Sequence, residues 1–279
     1  MSGEADRLAR LIEQTPGLPK SSDEVYAQDA HYFPGTWKEK WPEGVPLPAG
    51  LSAVEDGSRR SKVVSRRDVF EAMRNVTNEE SALDAYVVMC GWGAGPLGQP
   101  GYRCRRPLAE PGIAEKLLRT HRAIRDGANP VEVYKSLSEG SDRIKYFGPA
   151  FFTKWLYFSG YDMTPSDGDH ARPLILDARV AASLGWQSWG WTGDQYGVYL
   201  KLAGEIAEKL GGVDTHVVEH ALFVMRGEAI EVDDEPDMSS IVLSGVTKEL
   251  REALNKKAAS EGLTVEEYVV ELATVAVNQ

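Results

Sequence analysis

The stretch "IKYFGPAFFTKWLYFSG" (residues 144–160) constrains the fold more than any other. Its Gly-Pro pair opens a helical pattern in which Phe151, Phe152, Trp155, Leu156 and Phe158 leave hardly any polar face. A helix that is apolar all round must be surrounded by other elements, so this segment predicts the centre of a helical core. It carries one lysine, Lys154. Downstream, the apolar run "LILDARVAASLG" (174–185) halts at Asp177, where the next helix should start and where an aspartate suits the N-cap. The turn "YFGP" ends at a helix N-terminus, a place where free amides can hold a phosphate.

The flanking segments supply the elements that would surround this helix. Ser65 and Asp68 form the capping-box pattern ahead of "RRDVFEAMRNV". Helical periods follow in "NEESALDAYVVMC", "GIAEKLLRTHRAIRDG" and "NPVEVYKSLSEG", the last two stopped by glycine. Two more occur in "DQYGVYLKLAGEIAEKLGG" and "DTHVVEHALFVM". The Pro/Gly/Trp-rich "HYFPGTWKEKWPEGVPLPAG" cannot be regular throughout, and it predicts a wrap with Phe33, Trp37 and Trp41 turned inward. "GWGAGPLG" lacks the Lys-Ser/Thr pair of a nucleotide loop and follows a helical pattern, so it reads as a loop lining a pocket, with Trp92 able to stack. Residues 1–230 are thus expected to form one mostly α domain.

Charge and composition narrow the class. The formal net charge of −11 argues against a protein that coats nucleic acid without specificity, because phosphate neutralisation dominates such binding. Positive charge nevertheless gathers locally, at Arg59, Arg60, Lys62, Arg66 and Arg67 and again at Arg103, Arg105 and Arg106. Two cysteines make no disulfide framework and suit a reducing cytoplasm. "MSGEADRLARLIEQ" reads as a charged amphipathic helix without the apolar centre of a signal peptide, and no apolar run is long enough to cross a bilayer. His216 and His220, at i, i+4 spacing beside Glu219, read as a solvated helix face in preference to a metal site. No metal and no cofactor is expected.

Beyond residue 230 the pattern changes. Residues 231–238 are an acidic, proline-containing linker. Residues 239–279 offer a short alternating segment, "SIVLSGV", then two capped amphipathic helices. This tail resembles the ribbon-helix-helix fold of small antitoxins and repressors, in which two copies interlock, and the resemblance implies a homodimer. Its strand positions Ser240, Val242 and Ser244 offer no bidentate base reader, which favours dimerisation over operator reading.

"FGPAFFTKWLYF" followed by "LILDARV" resembles the helix-hairpin-helix DNA glycosylase superfamily, and bacterial 8-oxoguanine glycosylase-fold proteins in particular. Similar punctuation runs through "WKEKWP", "VVMCGWGAG", "YRCRRPL" and "VEHALF", so the resemblance spans roughly residues 30 to 226. It implies a hairpin of Phe147, Gly148, Pro149 and Ala150 that clasps a DNA phosphate, and a catalytic carboxylate at Asp177. A carboxylate suits the chemistry, because breaking an N-glycosidic bond builds positive charge on the sugar. The target base must leave the stack, which implies a pocket, for which Cys90, Trp92, Trp186 and Trp189 are the candidates. Arg66, Arg67, Arg103, Arg105 and Arg106 are the candidate phosphate contacts.

Three departures from the family pattern matter, one being the long loop "YDMTPSDGDHARP" between the hairpin and Asp177. The first hairpin glycine is replaced by Tyr146. The lysine of members that also cleave the strand falls at Ala150, which implies a monofunctional enzyme that leaves an abasic site. Lys154 lies one turn further on, where its ammonium substitutes in the cleft, pairs with an acid or snorkels to solvent. The implied partner is double-stranded DNA with a modified base, 8-oxoguanine-like or a bulky cytosine of phage DNA, in repair or in antiviral defence. A non-catalytic, antitoxin-like binding protein on the same scaffold is the alternative.

Overall fold

The computed structural model describes residues 2–94, 103–163 and 170–225, together with 253, 254 and 257. The described chain is mostly helical. It opens with α1 (Ser2–Gln14), α2 (Ser22–Ala27), β1 (Asp29–Tyr32), α3 (Pro34–Glu39), α4 (Ala49–Ser52) and β2 (Lys62–Ser65). Then come α5 (Arg66–Arg74), α6 (Glu79–Ala94), a 3-10 turn at Arg106–Ala109, α7 (Ile113–Arg125) and α8 (Pro130–Ser138). The site elements are α9 (Pro149–Gly160) and α10 (Ala178–Ser183), followed by α11 (Gly193–Lys209) and α12 (Thr215–Met225).

The apolar helix α9 is central, as its sequence requires: every residue from Phe152 to Gly160 is buried, and α5, α6, α7 and α8 pack around it. Its contact with α7 is so close that a Cβ on Gly160 would stand 2.3 Å from Ile124 Cγ2, so only glycine fits there. Aromatic rings pack edge-on along its flank, Phe158 against Phe70 at 4.9 Å and against Trp92 at 5.1 Å. On the other side, α10 and α11 pack against α12, and α1 lies along α11.

The local signals mostly hold. Ser65 and Asp68 form the reciprocal capping box of α5, and Thr192 with Gln195 builds another on α11. Trp37 is buried, while Phe33 and Trp41 are half-buried, so the wrap turns inward as expected.

Two expectations are corrected. "GWGA" is not loop: α6 continues through Ala94, because the buried apolar positions Met89, Cys90, Gly91 and Trp92 extend the packed face past the glycines. The helical reading also omitted a small antiparallel pair, β1 with β2, in register Asp29↔Ser65 to Tyr32↔Lys62. Residues 95–102, the middle of the loop ahead of Asp177 (164–169), the acidic linker and nearly all of the ribbon-helix-helix-like tail lie outside the described residues.

Candidate active site

The segment Leu174-Ile175-Leu176 is buried but belongs to no sheet, so its backbone polar groups need other partners. Side-chain hydroxyls supply them. The Tyr196 hydroxyl accepts from Leu174 N (3.1 Å) and donates to Leu174 O (2.8 Å), and the Tyr199 hydroxyl donates to Ile175 O at 2.9 Å. Thr153, a small polar residue of the apolar α9, accepts from Leu176 N at 3.0 Å. These bonds tie the run to α9 and α11 and deliver Asp177 to a fixed place.

Asp177 is the N-cap of α10. Its Oδ1 accepts from the amides of Arg179 (3.1 Å) and Val180 (3.2 Å). Its Oδ2 faces Lys154 Nζ at 3.2 Å. Lys154 comes from the middle of α9, with its ammonium donating back to Ala150 O at 2.8 Å. The two side chains retain 14% and 8% of their exposure, so the pair stands at a nearly closed end of the core. Burial alone would push the Asp177 carboxyl up. The Lys154 charge and the two amides outweigh that and hold it below the ordinary carboxylate value. It is therefore a fixed anion near neutral pH.

Gly93, in the last turn of α6, makes room for the lysine. A Cβ there would come within 3.1 Å of Lys154 Cδ and 3.3 Å of Cε. In this limited sense "GWGA" does border the site. A second buried ion pair lies in the same electrostatic neighbourhood: Arg66 Nη1 meets Glu219 Oε2 at 2.7 Å, with both side chains almost fully buried. Burial pushes the Glu219 carboxyl up, Arg66 pulls it back, and the charges of Asp177 and Lys154 are both felt at Glu219.

Arg66 is thus corrected as a phosphate contact. Besides Glu219 it donates to Gln28 Oε1 (2.6 Å) and to the Tyr157 hydroxyl (3.2 Å), and it lies over the Trp92 ring at 5.0 Å. Arg67 is exposed and lies over Tyr26, with Asp23 at 3.5 Å. The His216–His220 face is corrected as well. His216 is fully buried, stacked on Tyr161 at 4.3 Å and hydrogen-bonded to the Tyr157 hydroxyl at 3.1 Å, so it belongs to the core network and not to solvent. Among the described residues no cluster of His, Cys, Asp or Glu could hold a metal ion.

The candidate base-pocket residues differ in their exposure. Cys90 is fully buried, and Trp92 is closed in by Phe158 and Arg66 while its indole N–H donates to Gln28 O at 3.1 Å. Neither offers a face for a base to stack on. Trp186 is half-buried at the far end of α10 from Asp177, bonding to Ala181 O, and Trp189 is 76% exposed.

At the hairpin, Phe147 packs inward against Tyr86 and Phe152, and its amide donates to Ile144 O at 3.1 Å, so it is a core anchor and its amide is engaged in the turn. Gly148 is exposed and caps α9, while Pro149 and Ala150 are half-buried. Tyr146 alone among the described non-glycine residues has a left-handed backbone, φ 65°. Arg103 is exposed and Arg105 and Arg106 are half-buried, with Arg106 Cζ over the Tyr146 ring, 3.5 Å from its centroid.

A mostly helical scaffold, a turn opening a central helix and an amide-capped carboxylate paired with a lysine of that helix are what the site presents. Residues 23–223 match the family described as "Putative 8-oxoguanine DNA glycosylase OGG-like protein", and the chain belongs to that family. No curated protein and no solved structure gives a match. No helix among the described residues is long and apolar enough to cross a membrane.

Proposed function

We propose that the protein is a monofunctional DNA glycosylase that flips a modified base from the duplex and hydrolyses its N-glycosidic bond. The observation that carries this reading is Asp177, held ionised at a helix N-terminus by two amides and by Lys154. As the base departs with the bonding electron pair, C1′ of the sugar becomes cationic, and a fixed carboxylate stabilises that charge until water adds to C1′ and its released proton neutralises the departed base. Extrusion of the base is required first, because the bond is inaccessible within the stack. Ala150 at the family's lysine position, and an ammonium engaged by Asp177 and Ala150 O, favour base removal without strand cleavage.

The substrate class is a modified base in double-stranded DNA, either 8-oxoguanine-like or a bulky hypermodified cytosine, and the role is accordingly repair or antiviral defence. A non-catalytic DNA-binding or partner-binding protein on this scaffold is the second reading, favoured by how little of the Lys154–Asp177 pair reaches solvent. Incubating the protein with duplexes bearing 8-oxoguanine, uracil, alkylated bases or glucosylated hydroxymethylcytosine, then cleaving with alkali, decides between them. Product from one of these duplexes supports the enzyme, and binding without product supports the second reading.

The dimer formed through residues 239–279 rests on their sequence pattern. Sedimentation of a chain ending near Asp234 tests it: a monomer supports the dimerisation role, and an unchanged oligomer refutes it.

A further inference from the structure

Tyr146 breaks the backbone rule for its residue type. It holds φ 65° where a glycine would sit without strain, and it keeps 46% of its surface exposed. A left-handed tyrosine is disfavoured, and an exposed side chain gains no core contact to offset it. The ring is nevertheless in use. The Arg106 guanidinium lies 3.5 Å from its centroid, Lys145 Nζ is at 5.0 Å, and donation from the Lys145 ammonium to the hydroxyl, with Arg106 beside it, lowers the hydroxyl's pKa. Three chain positions therefore converge on one small basic surface, immediately before the exposed Gly148 that caps α9. In a protein of net charge −11, a ring with two cations against it is a local exception that suits an anion.

We propose that Tyr146 is a positioning residue for DNA backbone contact: its ring holds the Arg106 guanidinium over its face, with Lys145 beside it, so that both cations meet a phosphate next to the α9 turn. A guanidinium donates from its in-plane edge, the edge that fits a phosphate bidentately. Tyrosine at a glycine position is then explained by what the ring does for Arg106. This inference rests on the DNA-binding reading of the preceding section.

The test measures affinity of the full-length protein for an 8-oxoguanine duplex and for the unmodified duplex of the same sequence, as a function of salt, alongside thermal melting. Tyr146→Gly relieves the backbone strain, so its melting temperature is unchanged or raised, yet it weakens binding to both duplexes by about two- to fivefold. Tyr146→Phe keeps the stack and restores most of the affinity. Arg106→Gln lowers the slope of log affinity against log salt by about 0.9, the signature of one lost phosphate. Wild-type affinity in Tyr146→Gly, or an unchanged salt slope in Arg106→Gln, overturns the inference and leaves the glycosylase reading standing. If the native protein binds neither duplex, the DNA-binding reading itself fails and takes this inference with it.

Discussion

Lys154 Nζ and Asp177 Oδ2 lie 3.2 Å apart, joining the middle of the most buried helix to the cap of the next. The lysine neutralises part of the cost of burying the aspartate and keeps it charged. Removing it with Lys154→Met leaves Asp177 with only its two amides, so burial raises the carboxyl's pKa. Activity that depends on the anion is present above that pKa and lost as pH falls through it. The acid limb of the excision profile therefore moves to higher pH in the variant, as single-turnover rates across pH 4–8 will read. Stability also drops, by about 3 kcal/mol, since one partner of a buried pair is left alone.

Base removal without strand cleavage has its own signature. Native protein should leave a product that breaks only after alkali, and borohydride should trap no covalent protein–DNA adduct. An adduct that disappears in Lys154→Gln would assign the lysine a Schiff-base role and correct the monofunctional reading.

Arg66 and Glu219 form a structural pair. Glu219→Gln leaves the guanidinium buried with a weaker partner and should lower unfolding free energy by about 3 kcal/mol in chemical denaturation. Arg66→Met should cost a similar amount, again about 3 kcal/mol, and leave the salt dependence of DNA binding unchanged, since a guanidinium enclosed by Gln28, Tyr157 and Glu219 meets no phosphate.

Three histidines make the fold acid-sensitive. Burial lowers His121 to about 4, His216 to about 3 and His220 to about 4, from an ordinary value of 6.5. They stay neutral in the folded protein while the unfolded chain takes up protons below pH 6.5. Their contribution is complete above 6.5 and declines as pH falls, each by about 1.4 kcal/mol per pH unit down to its folded value. Denaturation midpoints between pH 7 and 4 should show it, and His121→Gln, which removes the partner of Ser159, should flatten the decline.

Two glycines separate packing from site geometry. Gly160→Ala forces a methyl against the branched Ile124 side chain and should cost about 1–3 kcal/mol. Gly93→Ala meets only the flexible stem of Lys154, so its stability should change little while the excision rate falls, as paired melting and rate measurements will show.

What the sequence made legible follows from what is local. The all-round apolar pattern of α9 announced the centre of the core, and Asp177 at the end of an apolar run announced an N-cap, because both signals are carried by neighbouring residues of the chain. Arg66 misled because a basic run cannot reveal that one member finds Glu219, distant in sequence, while its neighbour Arg67 stays exposed. Trp92 misled because glycines flanking it suggested a loop, whereas the apolar face of α6 continues beneath them. Thr153 went unread: a threonine in an apolar helix has no periodic signature, and its role as the tie to Leu176 emerges only in three dimensions. The β1–β2 pair, four residues on each side, is too short to stand out as an alternating pattern.

The most direct measurement of the central claim is the single-turnover excision rate of Asp177→Asn against native protein, on whichever modified duplex the native protein cleaves. The asparagine keeps an oxygen for the Arg179 and Val180 amides, so the cap survives while the charge is lost. The account predicts a rate at least about a hundredfold lower with duplex affinity retained. Equal product from the two proteins would contradict it, because Asp177 would then be a helix cap and nothing more.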